Sequence, residues 1–337
     1  MLRRSIISIA GGVTLGVALP VLGQTPSTGR PRRVGFLGYT SQPGTMFAIY
    51  PLAAGLAKKG WIEGNNLTIE RLSAEGKPER LAGLADDLVR KGVDVIVTMG
   101  DLAAVASARA TQTIPIVFVN ANYPLDLGLI DSFPRPGRNL TGMAYWSDYE
   151  ISFKRFQLLR ELAPKAVRLS ALFASEVLET VTGARIDYVG RSEAVAKSLG
   201  FELKLHPILK VEDLEVALRE VVTERAQALT AGGTVVWQAR KLVADFALNN
   251  RLPSAFPYFE PVEAGGLLSY SPMYSEIGKL WTQCIDYVDR ILRGARPVDL
   301  PVGRPDRYEL VINRRTAKAL GLTIPQSLLV SADRIIE

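Results

Sequence analysis

From Arg32 onward, short apolar runs rich in β-branched residues alternate with stretches in which apolar residues recur every three or four positions. This alternation constrains the chain more than any other feature, because strands separated by helices are the signature of parallel sheets built from βαβ units. Residues 34–38 read as a first strand, and Ile49, Leu52, Ala53 and Leu56 follow at helical spacing, with Pro51 near the start of the regular helix. Leu81, Leu84, Ala85 and Leu88 stand at i, i+3, i+4 and i+7, and Pro78 suits the first turn of their helix. Residues 93–97 form the next strand, Asp101 opens another helix, and the strand at 116–119 stops at Asn120.

A second series begins after Gly142, with a helix over 151–162, a continuous apolar strand at 167–173 and an alternating one at 201–206. Leu214, Ala217, Leu218 and Val221 mark one face of a further helix. Residues 235–237 and 254–256 read as strands, separated by a helix carrying Leu242 and Phe246. The predicted fold class is therefore α/β, with two Rossmann-like lobes that each hold a parallel sheet. A chain of 337 residues matches two such domains. The last part is too short for a third, so its long helix, with Ile277, Leu280, Trp281, Cys284, Val288 and Ile291 on one stripe, must pack on an existing lobe. We expect residues 31–143 plus 268–300 in the first lobe and 149–264 plus about 303–337 in the second. Crossings near 142–149 and 258–267 would act as a multi-crossing hinge.

Ahead of this core, Arg3 and Arg4 precede an apolar run at 6–19 that Pro20 ends, the pattern of an export signal. The run is short for a membrane span, which needs roughly 20 apolar residues. Residues 1–23 are thus expected to be a cleaved signal peptide and the mature protein to be periplasmic. Losing two arginines takes the full chain's net charge of +6 down by two, and no dense Lys/Arg block remains, so nucleic acid is not an expected partner. The single cysteine, Cys284, excludes an intramolecular disulfide and lies far from any lipid-accepting position, so no membrane anchor is expected either.

Neither a G-x-G-x-x-G nor a G-x-x-x-x-G-K-[ST] fingerprint is present, and His206 is the sole histidine. No cofactor, metal or catalytic group is therefore expected, with His206 read as a surface residue at a strand end and Cys284 as a core residue.

Ordered motifs run through the chain: Gly60-Trp61-Ile62-Glu63-Gly64-Asn65 with Ile69-Glu70, Ala74-Glu75-Gly76 with Glu79-Arg80-Leu81, and Ile114-Pro115-Ile116-Val117-Phe118. Arg135-Pro136-Gly137-Arg138-Asn139-Leu140-Thr141-Gly142, Val262-Glu263-Ala264-Gly265-Gly266-Leu267 and Leu310-Val311-Ile312-Asn313 continue the series to Thr323-Ile324-Pro325. On these the chain resembles the solute-binding proteins of ABC transporters, in the group that includes tryptophan- and related aromatic amino-acid-binding proteins. The resemblance implies the type I periplasmic-binding fold, a small organic ligand between the lobes, an inner-membrane ABC permease as partner and a monomer. A ligand-sensing module of the same fold and a two-lobed cleft enzyme are the competing readings.

In open parallel sheets, ligands bind beyond the carboxyl ends of the strands. The candidates there in the first lobe are Tyr39, Thr40, Ser41, Gly100, Asp101, Leu102, Asn120, Asn122 and Tyr123. In the second they are Phe173, Ala174, Ser175, Trp237, Tyr258 and Glu260. The first set is expected to hold a carboxylate or other polar group, while Phe173, Trp237 and Tyr258 enclose an apolar or aromatic body. Asp101 also suits a helix cap, and Asn120 and Asn122 suit turns.

Overall fold

The computed structural model describes residues 30–39, 52–145, 149–174, 188–208 and 210–337. Its strands fall into two sheets. The first contains β1 (Arg32–Gly38), β2 (Leu67–Ser73), β3 (Val95–Met99), β4 (Ile116–Ala121) and β5 (Leu140–Ala144) in the order β2-β1-β3-β4-β5. All four pairings are parallel. Parallel strands are covered on both faces, which is why β3 and β4 read as unbroken apolar runs rather than alternating ones.

The second sheet contains β6 (Arg168–Ala174), β7 (Glu202–Ile208), β8 (Ala228–Ala231), β9 (Ser254–Phe256), β10 (Leu268–Pro272), β11 (Tyr308–Asn313) and β12 (Arg334–Ile336). Their order is β12-β11-β10-β9-β8-β6-β7, parallel throughout except between β10 and β11. The α/β class with two parallel-dominated sheets is the one expected from the sequence.

Helices α1 (Leu52–Ala57), α2 (Leu81–Arg90) and α3 (Asp101–Ala110) follow strands of the first sheet. Around the second lie α4 (Tyr149–Leu162), α5 (Tyr188–Ser198), α6 (Val211–Thr223), α7 (Thr234–Gln238), α8 (Arg240–Asn249) and α9 (Glu260–Glu263). They are followed by α10 (Tyr274–Leu292), α11 (Arg314–Ala319) and α12 (Gln326–Ser331). Pro78 begins a 3-10 turn, Pro78–Arg80, that leads into α2, whose Leu81, Ala85 and Leu88 are fully buried.

The long C-terminal helix α10 belongs by packing to the first sheet. Leu280, Trp281, Cys284, Ile285, Val288 and Ile291 join one core with Val34, Val95, Val97, Val117, Val119 and Met143. Trp61 anchors the same helix, donating its indole N–H to Asp289 Oδ1 at 2.7 Å. Each fully buried aliphatic side chain in such a core contributes about 1.5–3 kcal/mol relative to exposure.

The chain passes from the first sheet to the second after Tyr145 and back again at Met273, between β10 and α10. It returns to the second sheet through 301–307, where Gly303 N–H donates to Gly142 O and Ala144 N–H donates to Gly303 O before β11 begins. The first crossing falls in the 142–149 stretch, but residues 258–267 carry no crossing, because they link β9 to β10 within one sheet. For the same reason 268–272, expected with the first lobe, hydrogen-bonds into the second sheet as β10.

Two further expectations change. Residues 235–237 are helical, in α7: Gly233, at φ 100°, turns the chain sharply after β8, and a helix starts where the paired valines suggested a strand. His206 is buried, with Nδ1 3.1 Å from Glu220 Oε2 and Nε2 3.4 Å from Ser170 Oγ. Polar partners on α6 and β6 let the inner face of β7 accept an imidazole where the sequence suggested exposure.

Candidate functional site

The strands of the first sheet end in a set of turns whose geometry is over-determined. β3 stops at Met99, and Gly100 follows at φ 82°, ψ 171°, a conformation that is essentially restricted to glycine. This turns the chain into α3 with Asp101 as its first residue, so Gly100 is the cap and Asp101 lies just inside the helix. Freed from capping, the Asp101 carboxylate reaches the end of β4. Oδ1 accepts the Asn122 backbone N–H at 2.7 Å, and Oδ2 accepts Asn122 Nδ2 at 2.6 Å. Burial raises the carboxyl pKa above the usual aspartate range, outweighing the hydrogen bonds from Asn122 and the Tyr123 N–H that favour the charged form.

Beside this pair, Asn120 adopts φ 60°, and the β4–β5 register shifts between Val119 and Ala121. An asparagine tolerates that left-handed conformation better than most residues, and a bulge of this kind re-aims the side chains that follow it. Tyr123 is thereby carried away from its own sheet and buried in the core of the other, with Phe153 and Phe156. Tyr39, after β1, donates its hydroxyl to Gly76 O at 3.0 Å, and Leu102 is buried in the first sheet's core. Thr40, Ser41 and Ser175 lie outside the described residues, as does the Ala174 side chain.

From the second sheet, Phe173 is buried near the end of β6. Trp237, in α7, is half-buried with the Arg240 guanidinium 5.0 Å from its ring centroid. Tyr258 follows β9 and packs against the first sheet's core, its ring centroid 6.2 Å from that of Tyr145 at an interplanar angle of 48°. Glu260 begins α9 two residues later.

Tyr145 is the residue that sequence reasoning missed. It sits directly after β5, is buried, and has its hydroxyl pKa pushed well above the ordinary phenol value, first by burial and then by Tyr258, Glu260 and Glu309, with Arg155 opposing them. Glu260 in α9, Glu309 in β11 and Arg155 in α4 thus lie within electrostatic range of this phenol. Arg155 is itself buried, its Nη1 3.5 Å from Tyr270 O, and Tyr270 stacks on Tyr308 at 5.7 Å between centroids and 19° between planes. Burial also raises the Glu309 carboxyl, aided by Asp333, Glu260 and Glu263 and opposed by Arg334. The signal that could have found Tyr145 was the preceding strand, but Gly142 interrupts its apolar run.

Gly100, Asp101, Asn120, Asn122, Tyr123, Tyr145 and Tyr258 thus stand at or just beyond the carboxyl ends of strands, with Tyr145 paired to Tyr258 and Tyr123 in one core with Phe153 of α4.

Comparison with known proteins gives this geometry a family. The family model described as ABC transporter substrate binding protein matches residues 33–336. A tyrosine-binding protein of Clostridioides difficile (strain R20291) is 25% identical over 268 residues, covering 79% of this chain and 74% of its own. Among solved structures, a conserved domain protein from Vibrio cholerae O1 biovar El Tor aligns with a TM-score of 0.74 and 27% identity, covering 91% of this chain and 100% of that one. An ABC domain from Streptococcus pneumoniae in complex with L-Trp aligns with a TM-score of 0.73 and 24% identity, again over 91% and 100% of the two chains.

Proposed function

The chain belongs to the ABC transporter substrate-binding proteins, and from that membership we propose that it captures a small organic ligand between its two sheets and delivers it, chemically unaltered, to an ABC permease. The ligand is an amino acid or an aromatic or apolar carboxylate. The observation that carries this reading is the family match over residues 33–336, beside the Tyr145–Tyr258 ring pair that brings the end of β5 and the segment after β9 together. The relative named for tyrosine binding supports the aromatic amino-acid end of the range.

In this mechanism, the first lobe comprises the β1–β5 sheet with α10, and the second comprises the β6–β12 sheet. The turns at Gly100–Asp101 and Asn120–Asn122 hold the ligand's polar end, while Phe173, Trp237 and Tyr258 enclose its apolar body. Rings suit that task because they supply contact area with few rotamers to freeze. Rotation about the crossings after Tyr145, at Met273 and through 301–307 closes the lobes, in the hinge mode by which paired domains close on ligands. The closed surface is what the permease recognises. Residues 1–23 direct export to the periplasm and are removed, and the mature protein works as a freely soluble monomer.

A thermal-shift screen against amino acids and aromatic carboxylates tests the reading. A ligand at 100 times its dissociation constant stabilises the protein by about 2.7 kcal/mol, enough to read in the melting curve. A screen in which no member of either class raises the melting temperature would set the proposal aside.

A further inference from the structure

The connection from β4 to β5 does not stay with its own sheet. It leaves the first sheet at Asn122, which is fixed by its two hydrogen bonds to Asp101, and it returns at Leu129 and Ile130, both buried in the first sheet's core. Between these anchored ends the chain makes a compact turn. Leu127 N–H donates to Tyr123 O, Gly128 N–H to Leu125 O and Leu129 N–H to Pro124 O. Gly128 stands at φ 64°, a conformation that favours glycine, and so sends the chain back towards its own sheet.

Side chains of this turn reach the second sheet. Tyr123 is buried in one core with Phe153, Phe156 and Leu159 of α4, and Leu127 packs against the cores of both sheets. Asp126 Oδ1 lies 3.7 Å from Nη2 of Arg191 in α5. That ion pair is partly exposed, so the buried ring contributes more than the charges do. The peptide crossings lie elsewhere, after Tyr145, at Met273 and through 301–307, and the turn is a further, non-covalent link between the sheets.

We propose that residues 123–128 form an inter-lobe strap, a loop of the first lobe docked on the second that restrains the opening of the cleft while no ligand is bound. The proposal rests on the reading of the two sheets as lobes that rotate about the crossings. Because both ends of the strap are held by the first sheet, a rotation that parts the lobes must withdraw Tyr123 from beside Phe153 and separate Asp126 from Arg191. The resting protein therefore keeps to a narrow range of lobe separations, and the widely open state is rare.

The test reads the lobe separation of the ligand-free chain by single-molecule energy transfer between dyes on K77C and K210C. Lys77 and Lys210 are exposed just beyond the edge strands β2 and β7, and the buried Cys284 stays unlabelled. Y123A should raise the widely open population about tenfold or more, since one buried ring is lost from the closed arrangement. Charge reversal in D126R or R191D should raise it about two- to fivefold, and the double variant D126R/R191D should bring it back near the parent level. Should Y123A melt too low to be studied, the charge variants decide the matter, because both of their side chains are partly exposed. Parent-like separations in all the folded variants, or a double variant as open as either single one, would overturn the proposal. The readout needs no ligand, so a chain that succeeds in the thermal-shift screen but ignores these substitutions loses the strap and keeps the binding function.

Discussion

Replacing Asp101 removes a side chain that hydrogen-bonds the start of α3 to the residue after β4, and the consequences can be worked out from its contacts. Its carboxylate accepts two hydrogen bonds of 2.6–2.7 Å from Asn122, and a charge-assisted bond contributes about 1.5–3 kcal/mol. D101A leaves the Asn122 N–H and amide without this acceptor but also relieves the cost of a desolvated carboxylate. The net loss should be about 2–4 kcal/mol. D101N keeps one carbonyl acceptor and should lose about half as much. Urea titrations at constant m-value would measure both differences as shifts in midpoint. The pH dependence is the sharper check. Because burial raises the native pKa of Asp101, the folded state binds its proton more tightly than the unfolded state does. The stability this group contributes is complete below the unfolded aspartate value and is lost as pH rises through the native pKa. The margin of the parent over D101A should therefore be greatest in acid and narrow towards neutrality, the reverse of a salt-bridged aspartate. A D101A variant within about 0.5 kcal/mol of the parent, or a margin that widens from pH 3.5 to 7, would refute this account.

Other expectations follow from single contacts. A methyl group on Gly142 would meet Phe118 O at 2.1 Å and the Phe118 ring carbons at 2.7 Å, so G142A should destabilise by about 2–4 kcal/mol in thermal or urea melts. The Cys284 thiol is fully buried and pushed up to about 12, so at pH 8 only about one in 10⁴ is thiolate; a disulfide reagent should label it only after unfolding. Truncating the two enclosing rings, W237A with Y258A, should weaken ligand affinity about tenfold or more in calorimetric titration, and because Tyr258 also packs on Tyr145 the melting temperature of the empty protein should fall as well.

The residues that were legible in the sequence are those whose local preference and burial agree. Val34 to Gly38 and Ile116 to Val119 announce strands because parallel strands are covered on both faces. The stripe of α10 announces a helix because one side alone is buried. Where local preference and tertiary context part, the reading slipped. Val235 and Val236 favour a strand, yet the turn at Gly233 commits them to α7. Leu140–Ala144 is a strand despite Gly142, because that glycine admits the close approach of Phe118. Missing β5 hid Tyr145, and with it the ring pair that Tyr145 forms with Tyr258. Which distant side chains gather at a crossing depends on sheet order, and spacing along one sequence does not encode it.

Equilibrium dialysis of the purified chain against isotopically labelled L-tyrosine and aromatic carboxylates, with mass analysis of what is later released, bears most directly on the idea of a reversible clasp. The expected result is saturable uptake of one molecule per chain, lost in the W237A/Y258A variant, with the mass of the released compound unchanged. Uptake that survives loss of both rings, or a released compound of altered mass, would contradict it.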